Sequence, residues 1–199
     1  MRIDPNILLE SLLGLTIEYC HIAPQNQILG LTSFEEVGVE IYDENVDLFF
    51  FDGKTVLIES NLLAENQTGR RNFTIIHEGC HHILKMLFPN DYRNNMNARR
   101  VFCYRATSSY RTVEEQQVDQ LASAVLMPRK LIKQAMFLAG LKEEIKMLNP
   151  VWRRQEYEKF CWMCQLLGVS KQALCIRMTQ LGLIGESHLR HPNEIIDIY

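Results

Sequence analysis

Around Asn61 the chain changes its hydrophobic period, and that change limits the folds open to it. Before it lie three short runs rich in β-branched and aromatic residues: EVGVEIYD (36–43), VDLFFFD (46–52) and TVLIES (55–60). In the first, Val37, Val39 and Ile41 alternate with other residues, the period of a half-buried strand. Asp52-Gly53, between the second and third, is a two-residue hairpin signal. After Asn61 the apolar spacing is helical, over about 68–87, 112–127, 128–139, 151–167 and 171–182. A further helix is expected at 4–22, where Ile7, Leu8, Leu12, Leu15 and Ile17 keep helical spacing and Asp4-Pro5 suits an N-cap and first turn. Residues 23–34 read as a loop, and 89–111, polar and punctuated, as a mostly irregular excursion. Strands gathered ahead of helices predict an α+β fold. The expected form is a small antiparallel three-stranded sheet packed on a helical bundle, with a C-terminal helical hairpin. Leu148-Asn149-Pro150 is the expected boundary between a domain of residues 1–148 and an appendage of 149–199.

Composition narrows the function classes. With 199 residues, 47% hydrophobic and 23% charged, the chain can enclose a core large enough for a buried site. A net charge of −3 gives no general reason to expect affinity for nucleic acid. No stretch approaches the roughly 18 consecutive apolar residues of a membrane span. The opening MRIDPNILLE has acidic residues and a proline where a secretory signal would be apolar. A cytoplasmic protein without membrane attachment is expected. The six cysteines then read as reduced thiols. Cys161 and Cys164 make a lone C-x-x-C, without the second pair of a zinc ribbon or the βαβ setting of a redox motif. Helix packing is the expected use of that pair.

Within TIIHEGCHHILK (74–85) stands H-E-x-x-H: His77, Glu78, Gly79, Cys80 and His81. At about 100° per helical residue, His77 and His81 fall about 40° apart on the border of an apolar face. That face is formed by Phe73, Ile76, Cys80, Ile83, Leu84 and Leu87. Two imidazoles one turn apart can reach one ion, and the adjacent carboxylate can reach water beside it. The same geometry holds for any H-E-x-x-H helix, so a surface helix with two histidines on its shoulder stays open. Gly79 inside a helix costs about 1 kcal/mol relative to Ala, which hints at a demand beyond helix stability. His82 faces away from the pair and is expected to be exposed, and Cys80 is expected to pack rather than ligate.

A catalytic zinc needs a third protein ligand and an open position. In VEEQQVDQLASAVLMP (113–128), Glu115 and Asp119 lie one turn apart beside an apolar stripe of Val118, Leu121 and Val125. Glu115 can serve as the ligand while Asp119 accepts a ring N–H from a ligating histidine. An acidic, solvated first turn that favours the helix dipole accounts for Glu114 and Glu115 equally well, and for Asp119 less well.

The order RRNFTIIHEGCHHIL, then EEQQVDQLASAVLMP, resembles the ImmA/IrrE metallopeptidases, whose helices read r-F-T-x-x-H-E-x-G-H and E-x-x-A-n-x-F-A-x-x-L-L-M-P. LLGVSKQALCIRMTQLGLI (166–184) is similar to the family's V-S-x-x-A-x-x-x-R-L-x-x-L-G-L. Three motifs in order thus cover roughly 36–184. The resemblance implies a zincin-like domain with His77, His81 and Glu115 holding zinc, Glu78 as general base, and Asp119 behind a ligand. Cys80, Val118 and Leu121 depart from the family's glycine, alanine and phenylalanine, and none of these removes a catalytic group. It further implies an endopeptidase acting on a protein substrate, a helix-turn-helix repressor, whose cleavage relieves repression of mobile-element or stress genes. An additional oxyanion donor is expected, with Tyr104, Tyr110 and Arg111 as candidates, while Arg99, Arg100 and Arg105 suit a cleft rim.

At 164–182 the punctuation is that of a helix-turn-helix, with Gly168 as C-cap and Ser170 as the next N-cap. Only Lys171 and Arg177 are basic on the second helix, thin for holding phosphates. A hairpin that packs on protein is therefore expected, rather than one that binds DNA directly. The alternative to the enzyme is a regulatory binding protein or toxin–antitoxin component that uses this hairpin and keeps a structural metal.

Overall fold

The computed structural model describes residues 2–24, 27–90, 101–105 and 112–189. By its contacts the chain divides into two compact units, one spanning Asp4–Leu126 and one beginning at Met127.

In the first unit, helix α1 (Thr68–Leu87) and helix α2 (Val113–Leu126) pack together, and α1 lies on a sheet. That sheet has four strands: β1 (Thr16–Cys20), β2 (Ile28–Ser33), β5 (Thr55–Glu59) and β6 (Val101–Arg105), in the order β1-β5-β2-β6. β1 runs parallel to β5, while β2 is antiparallel to both β5 and β6. The remaining strands, β3 (Glu36–Tyr42) and β4 (Val46–Asp52), form a separate antiparallel ribbon.

The mixed α+β class stands, and the three-stranded antiparallel sheet does not. Three expectations account for the difference. The helix expected at 4–22 stops after one short π-type turn, Ile7–Leu12. Gly14 then takes a left-handed φ of 66°, which ends the turn, and Thr16–Cys20 continues as a strand. The stretch read as a loop at 23–34 contains β2, buried along nearly its whole length. The excursion at 89–111 contains β6; its flanks, 91–100 and 106–111, lie outside the described residues. β2, inside the sheet, lacks the apolar–polar alternation by which half-buried strands announce themselves, whereas β1 and β6 are the edge strands, made extended by pairing with β5 and β2.

Asp52-Gly53 turns the chain, but between strands of different sheets rather than within a hairpin. Asp52 Oδ1 accepts the Lys54 N–H at 2.8 Å and the Thr55 hydroxyl at 3.0 Å, while Gly53 takes φ 76°. The hairpin itself closes at Asp43–Asn45, between β3 and β4.

The second unit holds α3 (Arg129–Leu138), β7 (Ile145–Leu148), α4 (Arg154–Leu167), α5 (Lys171–Gln180) and β8 (Ile184–Ser187), with β7 and β8 parallel. Gly168 ends α4 with φ 68°, and the Ser170 hydroxyl caps α5 by accepting the Ala173 N–H at 3.1 Å. Phe160, Met163, Leu167, Leu174 and Met178 are buried between these elements. Cys164 belongs to that core, Cys161 is half-buried, and both thiols are free.

Candidate metal centre

Helix α1 turns its polar residues inward. His77, Glu78 and His81 have no exposed surface, beside the apolar Ile75, Ile76 and Cys80. Gly79 permits this depth, because a Cβ there would stand 2.7 Å from Leu9 Cδ1 of the N-terminal turn. The missing side chain lets that turn close over the helix, an answer to the helical glycine in packing terms.

Across from α1, α2 presents Glu115 and Asp119, one turn apart. Asp119 Oδ1 lies 3.0 Å from His77 Nδ1, and Glu115 Oε2 lies 3.2 Å from His77 Nε2. The second Glu115 oxygen is 3.7 Å from His81 Nε2. One donor atom from each of His77, His81 and Glu115 falls within 4.8 Å of the others, the spread of a group able to hold one ion. The Glu115 side chain keeps 19% of its surface exposed, so the group opens to solvent on that side.

Several buried polar atoms lack a well-formed hydrogen bond: both ring nitrogens of His81, and both oxygens of Glu78, which feel only a weak pull from the Tyr104 backbone N–H. Orphaned buried groups of this kind are costly and concentrate at functional sites. Burial alone disfavours the His77 imidazolium, but the Asp119 and Glu115 carboxylates outweigh it and raise its pKa to about 9. Burial pushes the Glu78 carboxyl up to about 8, against the pull of His77. For His81, burial and the neighbouring His77 charge act together and hold the pKa well below the usual value. A dication at the group would reverse this pattern, favouring neutral imidazoles and ionised carboxylates.

The sheet supplies features of the site that carry no local sequence signal. A Cβ on Gly30 of β2 would come within 2.6 Å of Glu78 Oε1 and 2.7 Å of Thr74 Cγ2. Only glycine leaves room for the Glu78 carboxylate against that strand. On β6, the Tyr104 ring lies 4.2 Å from the His77 ring, and Phe102 lies 4.6 Å from His81. Of the three oxyanion candidates, Tyr104 is thus brought to the group, while Tyr110 and Arg111 lie outside the described residues. Arg99, Arg100 and the Arg105 side chain also lie outside them. His82, expected to be exposed, instead meets Thr32 Oγ1 at 2.8 Å and the edge of Phe34. Its environment is apolar enough for burial to lower its pKa to about 4. Cys80 is fully buried and packs.

A model of the Peptidase_M78 family, described as the IrrE N-terminal-like domain, matches residues 34–179. The chain belongs to this family. The match takes in both β3–β4 and the whole of α1, α2, α4 and most of α5. It supports a metallopeptidase-type function for the IrrE N-terminal-like chain. No curated protein matches the chain, and no solved structure does. Among the described residues, no helix is long and apolar enough to cross a membrane.

Proposed function

We propose that the chain is a zinc-dependent endopeptidase that cleaves one selected protein, a helix-turn-helix repressor, and so releases mobile-element or stress genes. The observation that carries the chemistry is a pair of acceptors facing each other. With its Nδ1–H given to Asp119, His77 presents the Nε2 lone pair to a Glu115 oxygen 3.2 Å away. A proton on Nε2 fills that gap while no metal is bound, in line with the raised His77 pKa; a metal would take its place and would also serve His81 Nε2, which converges on the same carboxylate without a hydrogen bond. Two imidazoles and a carboxylate with one side open are a donor set suited to catalytic zinc.

In this reading His77, His81 and Glu115 hold zinc, and Asp119 fixes the tautomer and tilt of the His77 ring. Bound there, zinc supplies Lewis-acid polarisation of a peptide carbonyl and acidification of water. Glu78 takes the proton of the attacking water on its carboxylate and passes it to the leaving amine. Phe102 and Tyr104 wall the two rings and exclude bulk water. Because both histidines and Glu78 are buried, access favours an extended segment of a selected protein over general proteolysis.

The hairpin of α4 and α5 supports a protein partner rather than direct DNA contact. Lys171 Nζ donates to the Tyr157 hydroxyl at 3.0 Å, and Arg177 Nε to the Met127 carbonyl at 3.3 Å. Both basic side chains of α5 are thus engaged within their own unit.

Glu78→Gln tests the proposal. Retained zinc with loss of cleavage of a co-expressed repressor, read on a gel, is the expected result. Retained zinc with unchanged biological output would move the chain to the alternative of a binding protein with a structural metal.

A further inference from the structure

The β3–β4 ribbon has two faces of opposite fate. Its odd-numbered residues Val37, Val39, Ile41, Phe49 and Phe51 pack onto Cys20, Ile22, Leu31 and Leu57. Its even-numbered residues point the other way, where Val46, Leu48 and Phe50 remain 62%, 55% and 70% exposed. The register places these opposite Tyr42, Glu40 and Gly38. Without a side chain at Gly38, Leu48 and Phe50 lean across the ribbon, within 3.3 Å of where its Cβ would stand. The result is an apolar strip about 13 Å long, from four steps of roughly 3.3 Å between Val46 and Phe50.

Charge decides what covers it. From Glu35 to Gly53 the chain carries seven acidic residues and no Lys or Arg. None of the seven makes an ion pair with a described residue. Nucleic acid and anionic lipid surfaces are repelled by such a rim. A second copy meeting ribbon to ribbon would bring like charges together, and an isologous contact cannot avoid that. Contiguous exposed apolar surface rimmed by polar groups marks an interaction site, and the remaining complement is a cationic, apolar protein segment.

We propose that the outer face of β3–β4 docks a basic amphipathic segment of a partner protein. Val46, Leu48 and Phe50 take its apolar side chains, and Glu36, Glu40 and Asp52 on the same face take its Lys or Arg. The docking stands apart from the chemistry at Glu78, since none of these residues belongs to the metal group.

The test is fluorescence anisotropy of a labelled Leu/Lys peptide of about four helical turns, with a Leu/Glu peptide of equal length as control. The full chain is titrated as wild type, as Leu48→Ser with Phe50→Ser, and as Glu40→Lys. The Leu/Lys peptide should bind and the Leu/Glu peptide should not. The serine pair should weaken binding about tenfold or more, as two exposed apolar contacts allow, and Glu40→Lys should weaken it at low salt. Melting temperature should be unchanged in all variants. Equal binding by wild type and the serine pair would overturn the proposal. A melting temperature several degrees lower in the serine pair would overturn it too, because the strip would then be covered by the chain itself. So would sedimentation showing a wild-type dimer that the serine pair dissociates.

Discussion

The unit Asp4–Leu126 and the unit from Met127 onward handle polarity in opposite ways. Of the eleven buried polar or charged side chains among the described residues, ten lie in the first and only Asn149 in the second. Asn149 is an ordinary structural case: its side-chain oxygen accepts the N–H groups of Val151 and Trp152, at 2.8 and 2.9 Å. Two fully buried glutamates in the first unit sharpen the contrast. Glu59 receives His21 Nδ1 at 2.8 Å, the Ile22 N–H at 3.1 Å and the Asn61 side chain at 3.0 Å. Glu78 has no comparable set: apart from a weak pull from the Tyr104 backbone N–H, its oxygens lack partners. Burial with full satisfaction is architecture, whereas burial without it sacrifices stability that a folding-driven core would keep. Charge divides the same way: residues 4–126 hold 17 acidic and 9 basic residues, net −8, and residues 127–199 hold 7 and 11, net +4.

The contrast can be broken or sharpened by measurement, beginning with the largest effect. Phe160→Ala, at a fully buried site of the second unit, should cost about 3–5 kcal/mol in denaturant unfolding. Metal content per folded chain should stay unchanged; its loss would show that the two units do not divide their labour as described. Stripping the metal with a chelator should remove about 3–4 kcal/mol at saturating zinc, seen as a melting temperature lower by roughly 10 °C. His77→Ala should begin at that lower value and respond no further to chelator. Gly30→Ala displaces the Glu78 carboxylate without touching a ligand, so cleavage should fall on the order of a hundredfold while bound metal is retained. The smallest effect is at a helix cap. Ser170→Ala should destabilise by about 1 kcal/mol and leave the cleavage rate alone, checked by parallel melting and activity assays.

Local signals in the sequence follow the same division. The α4–Gly168–Ser170–α5 hairpin was legible because its signals are local: a glycine at the left-handed turn and a hydroxyl within reach of the third helical N–H. Helix α1 was legible from its spacing, to the residue at both ends. The sheet was not. β1 carries apolar spacing compatible with a helix, and only pairing with β5, some forty residues away, makes Thr16–Cys20 a strand. The ribbon's two strands are evident from their composition, but the expected third partner is not, since Asp52-Gly53 turns the chain in either topology.

By itself, then, the sequence determined that His77, Glu78 and His81 share one helix, and that Glu115 and Asp119 share one face of another. Helical spacing repeats within a few residues and needs no knowledge of the rest of the chain. Only the tertiary structure decided that these two faces meet, at 3.2 Å across 38 residues of sequence. It also decided that Glu78 is sealed against a glycine of β2, and that Val46, Leu48 and Phe50 face outward rather than into the core. Those outcomes depend on which strands pair and which face is covered. Such choices are set by the free energy of the whole packed unit, and no local run of residues encodes them.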